Sequence, residues 1–448
     1  MPMFELIFAQ SLNPNHELLR ASRLIDWDAL QEALSSYYSL LGRSGKPIRL
    51  MVGIHILKHR YNTSDERAVE ELHENAYWQC FCGFQTFQTG EILDSTSLVK
   101  FRNRIGAEGM KRIEEVLFKA WSEMGLVKTK RISVDTTSQP KDIAYPTDAD
   151  LLHRIREKIV REIKRVREGV TLRKPFRTFG RTGKKLLFEI KRFCRKNPEK
   201  RRQKTEELKN IVKRVVRQAS SVANTLYARG HKERGRRINQ LASLGKKIVE
   251  QTEKVLKEER PANRIYSLHE PDVAVIRKGK VHLENEFGSL VSLALNEEGL
   301  ILSHQEYQEN LHDLKTLSHV ISGMEANTGK HPEIIGADRG FSQAMKNQER
   351  LGRRLKVRRM AIPRKGKKPH PDHKASWFQR ALRQRVKIEP VIGHLKNDHR
   401  MSRCRYKGKL GDTANVVWAV LAWNTKKIAY LHKKREERQL QNRIKMVA

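Results

Sequence analysis

The chain has 448 residues, with 90 Lys+Arg against 51 Asp+Glu, for a formal net charge of +39. Its 38% hydrophobic content suffices for a buried core, whereas its four cysteines (Cys80, Cys82, Cys194, Cys404) are too few for a disulfide framework and lack the paired spacing of a zinc knuckle. The longest apolar stretch, Val416 to Trp423, falls far short of the ~18–20 residues of a membrane span, and the opening MPMFELIFAQ has no basic secretory start. Secreted, disulfide-rich and integral-membrane classes are excluded, and a cytoplasmic protein with a polyanionic partner is expected.

Taken in chain order, the first 128 residues read as helical. Ile48 to Arg60 is an apolar-periodic helix. Thr63, three residues before Glu66, has the spacing of a capping box that starts a second helix carrying Ala68, Val69 and Leu72. An aromatic cluster (Tyr77, Trp78, Phe81, Phe84, Phe87) and Gly90 follow, and the polar start Asp94-Ser95-Thr96-Ser97 leads into Leu98 to Arg102. The pattern suits either a helix-turn-helix DNA reader or a small bundle that only packs.

Alternation at Ile132 and Val134 predicts a strand that ends on Asp135, with Pro140 and Pro146 breaking regular structure after it. Asp148 to about Arg260 is predicted helical, interrupted around Gly169 to Pro175, with a long stretch from Glu199. Strands resume at Val273–Ile276, Lys280–Leu283, Ser289–Leu295 and Leu300–Leu302, the last two joined by Asn296-Glu297-Glu298-Gly299. A helix over Asp313–Glu325, a strand over Glu333–Ala337 ending at Asp338, a helical stretch over Trp377–His399 and an apolar helix over Ala414–Leu431 complete the pattern. The charged tail from Lys433 is expected to fray.

Charge is unevenly spread. Residues 151–260 hold 35 Lys+Arg and 12 Asp+Glu, a net of +23, so over half the excess sits in a quarter of the chain. A separate basic module is implied.

No phosphate loop, HExxH, GxSxG or GxGxxG occurs, and Cys80 and Cys82 suit packing better than ligation. What remains is a spaced set of carboxylates: Asp135 and Asp338 at expected strand ends, and Glu389 in a helical stretch between Arg385 and Lys396. Oxygen donors from separate segments suit Mg²⁺. Two such ions about 3.5–4 Å apart can activate a nucleophile and stabilise the leaving oxygen of an in-line displacement. On one helix Arg385, Glu389 and Lys396 share a face. Pro390 either kinks that helix or starts it, and in the second case only Glu389 and Lys396 stay together. Asp142, Asp148, Asp313 and Glu333 are competing acids.

These residues resemble the DDE transposases of bacterial insertion sequences, in particular the InsH-like group of insertion-sequence family five, related to family four. The signature Y-x2-R-x3-E-x6-K is matched by Arg385, Glu389 and Lys396, with Leu382 at the tyrosine position. Val134-Asp135-Thr136-Thr137, with Tyr145 to Asp148 downstream, is similar to the first-aspartate region. Asn310 and Asp313, followed by Ala337-Asp338-Arg339-Gly340-Phe341, are similar to the second. Pro47 to Ile105 is similar to the helical domain that precedes the catalytic domain, and the likeness covers nearly all of residues 40–430.

The resemblance implies an α/β fold: an RNase H-like mixed-sheet catalytic domain with a helical N-terminal domain and a basic helical insertion. The expected boundaries are 1–128 for the N-terminal DNA-binding and assembly domain, 129–150 and 266–432 for the two parts of the catalytic domain, 151–265 for the insertion, and 433–448 for the tail. It implies Asp135, Asp338 and Glu389 as the catalytic, metal-binding triad, holding two Mg²⁺ ions for which Mn²⁺ may substitute. Arg385 and Lys396 would contact DNA. Double-stranded DNA, as transposon ends and target, is the implied partner, bound by a homodimer or higher oligomer in a nucleoid-associated setting. A catalytically inactive DNA-binding descendant and a basic RNA-associated protein are the rival readings.

Overall fold

The computed structural model describes residues 8–39, 45–171, 175–194, 196–280, 283–366 and 369–447. Two compact units emerge. Unit 1 joins Met1–Asp142 to Ala274–Ala448, and unit 2 is Ile143–Val273.

Unit 1 begins with helices α1 (Phe8–Ser11), α2 (Glu17–Arg23), α3 (Trp27–Ser35), α4 (Ile48–Arg60), α5 (Asp65–Glu74), α6 (Ala76–Phe81) and α7 (Ser95–Glu123). Helix α4 has the predicted bounds and is buried at every residue but Arg49, its polar His55, Lys58, His59 and Arg60 included. Helix α5 is capped by Ser64, whose side chain accepts from the Arg67 N–H, and not by Thr63. The reason lies in the end of α4: Asn62 takes a left-handed φ of 54°, and the Thr63 N–H turns back to the Lys58 carbonyl at 3.0 Å. That closure ends α4 and leaves the next residue to cap α5. Asp94 caps α7 as its sequence suggests, accepting from the Thr96 N–H.

Strand β1 (Arg131–Pro140) is followed in the sequence by unit 2, whose helices are α8 (Asp148–Arg167), α9 (Gly180–Arg192), α10 (Pro198–Ala228) and α11 (Lys232–Leu256). They enclose their own core, built on Leu152, Ile155, Ile159, Val212, Val215 and Ile248. Thr147 caps α8, and Asn197 caps α10 with Pro198 at its first position, where a missing N–H costs nothing.

The remaining elements of unit 1 are β2 (Ala274–Lys280), β3 (Leu283–Asn296), β4 (Ile301–Tyr307), α12 (Asp313–Thr328), β5 (Ile334–Gly336), α13 (Met345–Arg354), β6 (Arg359–Ala361), α14 (Ser376–Val386), α15 (Ile388–Asn397) and α16 (Gly408–Val447). Of the strand expected over Lys280–Leu283, Val281 and His282 lie outside the described residues; Lys280 ends β2 and Leu283 begins β3. The sheet is mixed. Its path is β2-β3-β1-β5-β6, with β4 also on β3. Strands β1, β3 and β4 pair antiparallel, while β5 is parallel to both β1 and β6.

Period-two alternation sends neighbouring residues of this sheet to opposite faces. Ile132, Val134 and Ala294 share a core with Leu317, Val320 and Met324 of α12 and with the N-terminal helices. Val291, Leu293 and Leu295 instead pack with Ile388, Val391 and Leu395 of α15 and with Val416 and Val420 of α16. Two expectations are corrected here. Asp135 does not end β1: the strand runs on to Pro140 because β3 pairs with it the whole way, Asp135 opposite Leu293 and Pro140 opposite Gly288. Nor does the tail fray, since α16 continues to Val447. Arg435 donates to the Met124 carbonyl at 2.6 Å, Glu436 pairs with Arg20 at 2.8 Å, and no Gly or Pro interrupts the run. Among the described residues no helix is long and apolar enough to cross a membrane.

Candidate active site

Strands β1 and β5 run parallel only over Arg131–Ser133 against Ile334–Gly336. Beyond that point β1 continues alone on its β5 side, and Asp135 lies there, two residues past the last pair. Asp338 lies two residues past the last pair on β5. Counted from the last pair, Asp135 on β1 and Asp338 just past the end of β5 therefore lie at matching positions, and the charge of Asp338 adds to a rise in the Asp135 pKa that burial mainly drives.

Alternation then assigns partners. Asp135 faces α14 and α15, where its Oδ2 accepts from Nη2 of Arg385 at 3.2 Å, while its Oδ1 accepts from the Thr136 N–H at 2.8 Å. The same Arg385 Nη2 lies 3.2 Å from Oε1 of Glu389. One guanidinium nitrogen thus bridges two of the three predicted acids. The Asp135 side chain is 14% exposed and that of Glu389 60%. Burial pushes the Asp135 carboxyl above the usual range, the Thr136 N–H and Arg385 pull it down, and Asp338 adds to the rise.

Pro390 is not the start of the helix, and the break in the helical stretch falls before it, at Lys387. Pro390 is the third residue of α15, and Lys387, with φ −68° and ψ −13°, joins α14 to α15 in near-helical geometry. Arg385 and Glu389 therefore keep their one-turn relation despite the missing N–H. At the far end of α15, Lys396 Nζ donates to Ser138 Oγ of β1 at 3.4 Å.

Thr136 faces the opposite side, where its Oγ1 donates to Oδ1 of Asp313 at 2.8 Å. Asp338 caps a single helical turn over Arg339–Phe341, its Oδ1 accepting from the Gly340 N–H at 2.8 Å. A Cβ on Gly340 would collide with Oδ2 of Asp313 and lie 2.9 Å from Oδ1 of Asp338. Asp313 is therefore a fourth acid here, beside Gly340 with Asp338. The residue pattern makes it one competing acid among several, and the resemblance places it in the second-aspartate region without a role of its own. The other competitors form ion pairs: Asp142 with Arg403, Asp148 with Arg264 within unit 2, and Glu333 with Lys130.

These acids meet pairwise. Among the described residues no group of three or more His, Cys, Asp or Glu side chains closes on one point able to hold a metal. The donor set itself is carboxylate only, which is the chemistry Mg²⁺ takes, and Arg385 supplies the positive charge between Asp135 and Glu389.

Comparison with known proteins identifies the family. A family described as a transposase domain matches residues 7–104, and the transposase DDE domain family matches residues 275–425. The second match contains Asp338, Arg385, Glu389 and Lys396, while Asp135 lies outside both. The chain is also similar to the uncharacterized protein ORF8 in the nfe locus of Rhizobium meliloti, at 36% identity over 186 residues, covering 41% of this chain and 87% of that protein. No solved structure matches it. With a relative of that similarity and these two domains in this order, the chain belongs to the DDE transposases.

Proposed function

We propose that this transposase binds the terminal inverted repeats of an insertion sequence, cleaves DNA at them, and joins the freed ends to target DNA. The observation that carries the reading is the placement of Asp135 on β1 and of Asp338 just past the end of the adjacent parallel strand β5, with Arg385 tying Asp135 to Glu389. The strand order, with an antiparallel β4-β3-β1 set continued by parallel β5 and β6, supports an RNase H-like catalytic domain. Unit 2, which contains the basic segment 151–265, supports the reading of a helical insertion.

Asp135, Asp338 and Glu389 would hold two Mg²⁺ ions, or Mn²⁺ in their place. Bound metal supplies charge stabilisation for an in-line displacement at phosphorus. Arg385, near the end of α14, and Lys396, near the end of α15, position the phosphate backbone along the β1 edge. Asp313 holds Thr136 and so fixes the backbone next to Asp135. In cleavage, water oxygen forms a bond to phosphorus while the bond to the leaving oxygen breaks, freeing a 3′-hydroxyl. In joining, that hydroxyl attacks a target phosphodiester with the same exchange of one P–O bond for another. Pairing of two ends makes a homodimer or higher oligomer the working form, in the cytoplasm on nucleoid DNA.

Asp135→Ala, Asp338→Ala and Glu389→Gln should each abolish end cleavage while leaving end binding intact in a gel-shift assay. Full cleavage by any one of them removes that residue from the assignment.

A further inference from the structure

Unit 2 carries an aromatic feature that phosphate binding does not explain. Phe188 and Phe193 are 51% and 62% exposed, and they are the exposed phenylalanines among the described residues. They touch each other edge to face, with ring centroids 5.7 Å apart and planes at 76°. The guanidinium of Arg192 lies over both rings, 5.5 Å from the Phe188 centroid and 5.9 Å from that of Phe193. Residues 180–196 hold seven cations, Arg181, Lys184, Lys185 and Arg192 among them, against the single acid Glu189.

Helical spacing accounts for the cluster. Gly183, Leu186 and Ile190 form the buried face of α9. Phe188 falls on the opposite face with Arg181, Lys185 and Arg192, at steps of three, four and seven residues. Phe193 follows the last helical residue. Two large apolar side chains are thus held in water inside a field of positive charge, although the core of the same helix lies one face away. Phosphates account for the cations and leave the rings unexplained. Nucleobases account for both, because a base offers a π-face to an aromatic ring while its phosphate meets the surrounding Lys and Arg.

We infer that Phe188, Phe193 and Arg192 form a stacking platform for unpaired nucleobases, used on single-stranded or locally unstacked DNA. The inference rests on the proposed DNA-processing role and deepens it: cleavage and joining create strand ends whose terminal bases are free to leave the duplex.

The test uses the full-length protein with two probes, a single-stranded oligonucleotide carrying the fluorescent base aminopurine and a blunt duplex of the same sequence. Replacing both rings, as Phe188→Ala with Phe193→Ala, should weaken single-strand binding by about tenfold or more, from the typical loss per stacked base. It should also remove the aminopurine quenching, and leave duplex affinity within about twofold because backbone charge is unchanged. Phe188→Trp with Phe193→Trp should restore affinity and quenching, which a merely structural role would not require. Unchanged single-strand affinity in the alanine variant overturns the inference, as does an equal loss on both probes. Loss of binding to phosphatidylserine vesicles, or loss of self-association, with single-strand affinity intact would overturn it in favour of a membrane or a second copy of the chain. Failure of the wild-type protein to bind either DNA would instead refute the DNA-processing role itself.

Discussion

Gly336 of β5 lies closely against α14, the helix that carries Arg385. A Cβ at this position would lie 2.8 Å from the backbone oxygen of Ala381 in α14 and 3.6 Å from Cβ of Arg385. The glycine is needed for space and not for conformation, because its φ is not left-handed. Ordinary contact between such atoms begins near about 3.4 Å, so Gly336→Ala requires α14 to retreat from β5 by roughly 0.6 Å against a backbone atom that cannot rotate away. Overpacking of this kind costs about 1–3 kcal/mol. The shift also moves Arg385 and Glu389 relative to Asp135, and a misplacement of about 1 Å can cost on the order of a hundredfold in rate. We expect Gly336→Ala to lose about 1–3 kcal/mol in urea denaturation and roughly tenfold or more in end cleavage, with gel-shift binding retained. Gly393→Ala in α15 is the control. Nothing lies within 4 Å of its added methyl, and removing a glycine from a helix should gain about 0.5–1 kcal/mol. If Gly336→Ala matches the wild type in both stability and cleavage, close packing of α14 on β5 does not position the site.

Two further predictions concern the polar interior beside α4. Lys58 and Arg102 share Asp65, at 2.5 Å from Lys58 Nζ and through a two-pronged contact from Arg102 of 2.9 and 2.7 Å, and the cation side chains are 1% and 8% exposed. Asp65→Asn would leave two buried cations without a counter-charge and should cost about 3–5 kcal/mol in urea denaturation; a loss under about 1 kcal/mol would show that Tyr406 and water suffice. The histidines here are held neutral. His55 accepts from Arg102 and donates to the Met51 carbonyl, and burial lowers its pKa to about 3. Burial likewise lowers that of His399, to about 4. Because the folded values lie below the ordinary 6.5, the unfolded chain takes up these protons first, so stability present above pH 6.5 is lost as the pH falls towards 4. For His399 alone the full shift amounts to about 3 kcal/mol, and His399→Phe should flatten the decline in denaturation midpoints between pH 6.5 and 4; an unchanged slope would rule the histidine out as its source.

Local signals in the sequence located most elements, and long-range ones decided the rest. The bounds of α4 and the Asp94 cap of α7 follow from apolar spacing and a polar start, and both are set within a few residues of chain. The cap at Ser64 depends on how α4 closes at Asn62, a backbone event that side-chain pattern does not reveal. Local pattern ends the strand at Asp135, yet β3, about 150 residues later, carries β1 on to Pro140. Arg385, Glu389 and Lys396 were legible because their relation is one of helical spacing. Asp313 was not singled out, because its role beside Thr136 and Gly340 exists only once α12 packs beneath the sheet. Pro390 was ambiguous for a related reason: the packing of Ile388 and Val391 on β3 holds the helical course that proline alone would disfavour.

The core of unit 1 draws Leu18 to Leu126 together with Ala414 to Ala429 of α16. During synthesis the N-terminal helices therefore emerge from the ribosome long before the surface they enclose has been made. The Tyr406 ring, over which both Lys58 and Arg102 lie, is likewise among the last parts translated. A nascent polypeptide halted before Tyr406 would carry exposed apolar faces and a buried-charge network missing its lid, so premature termination there yields material for proteolysis.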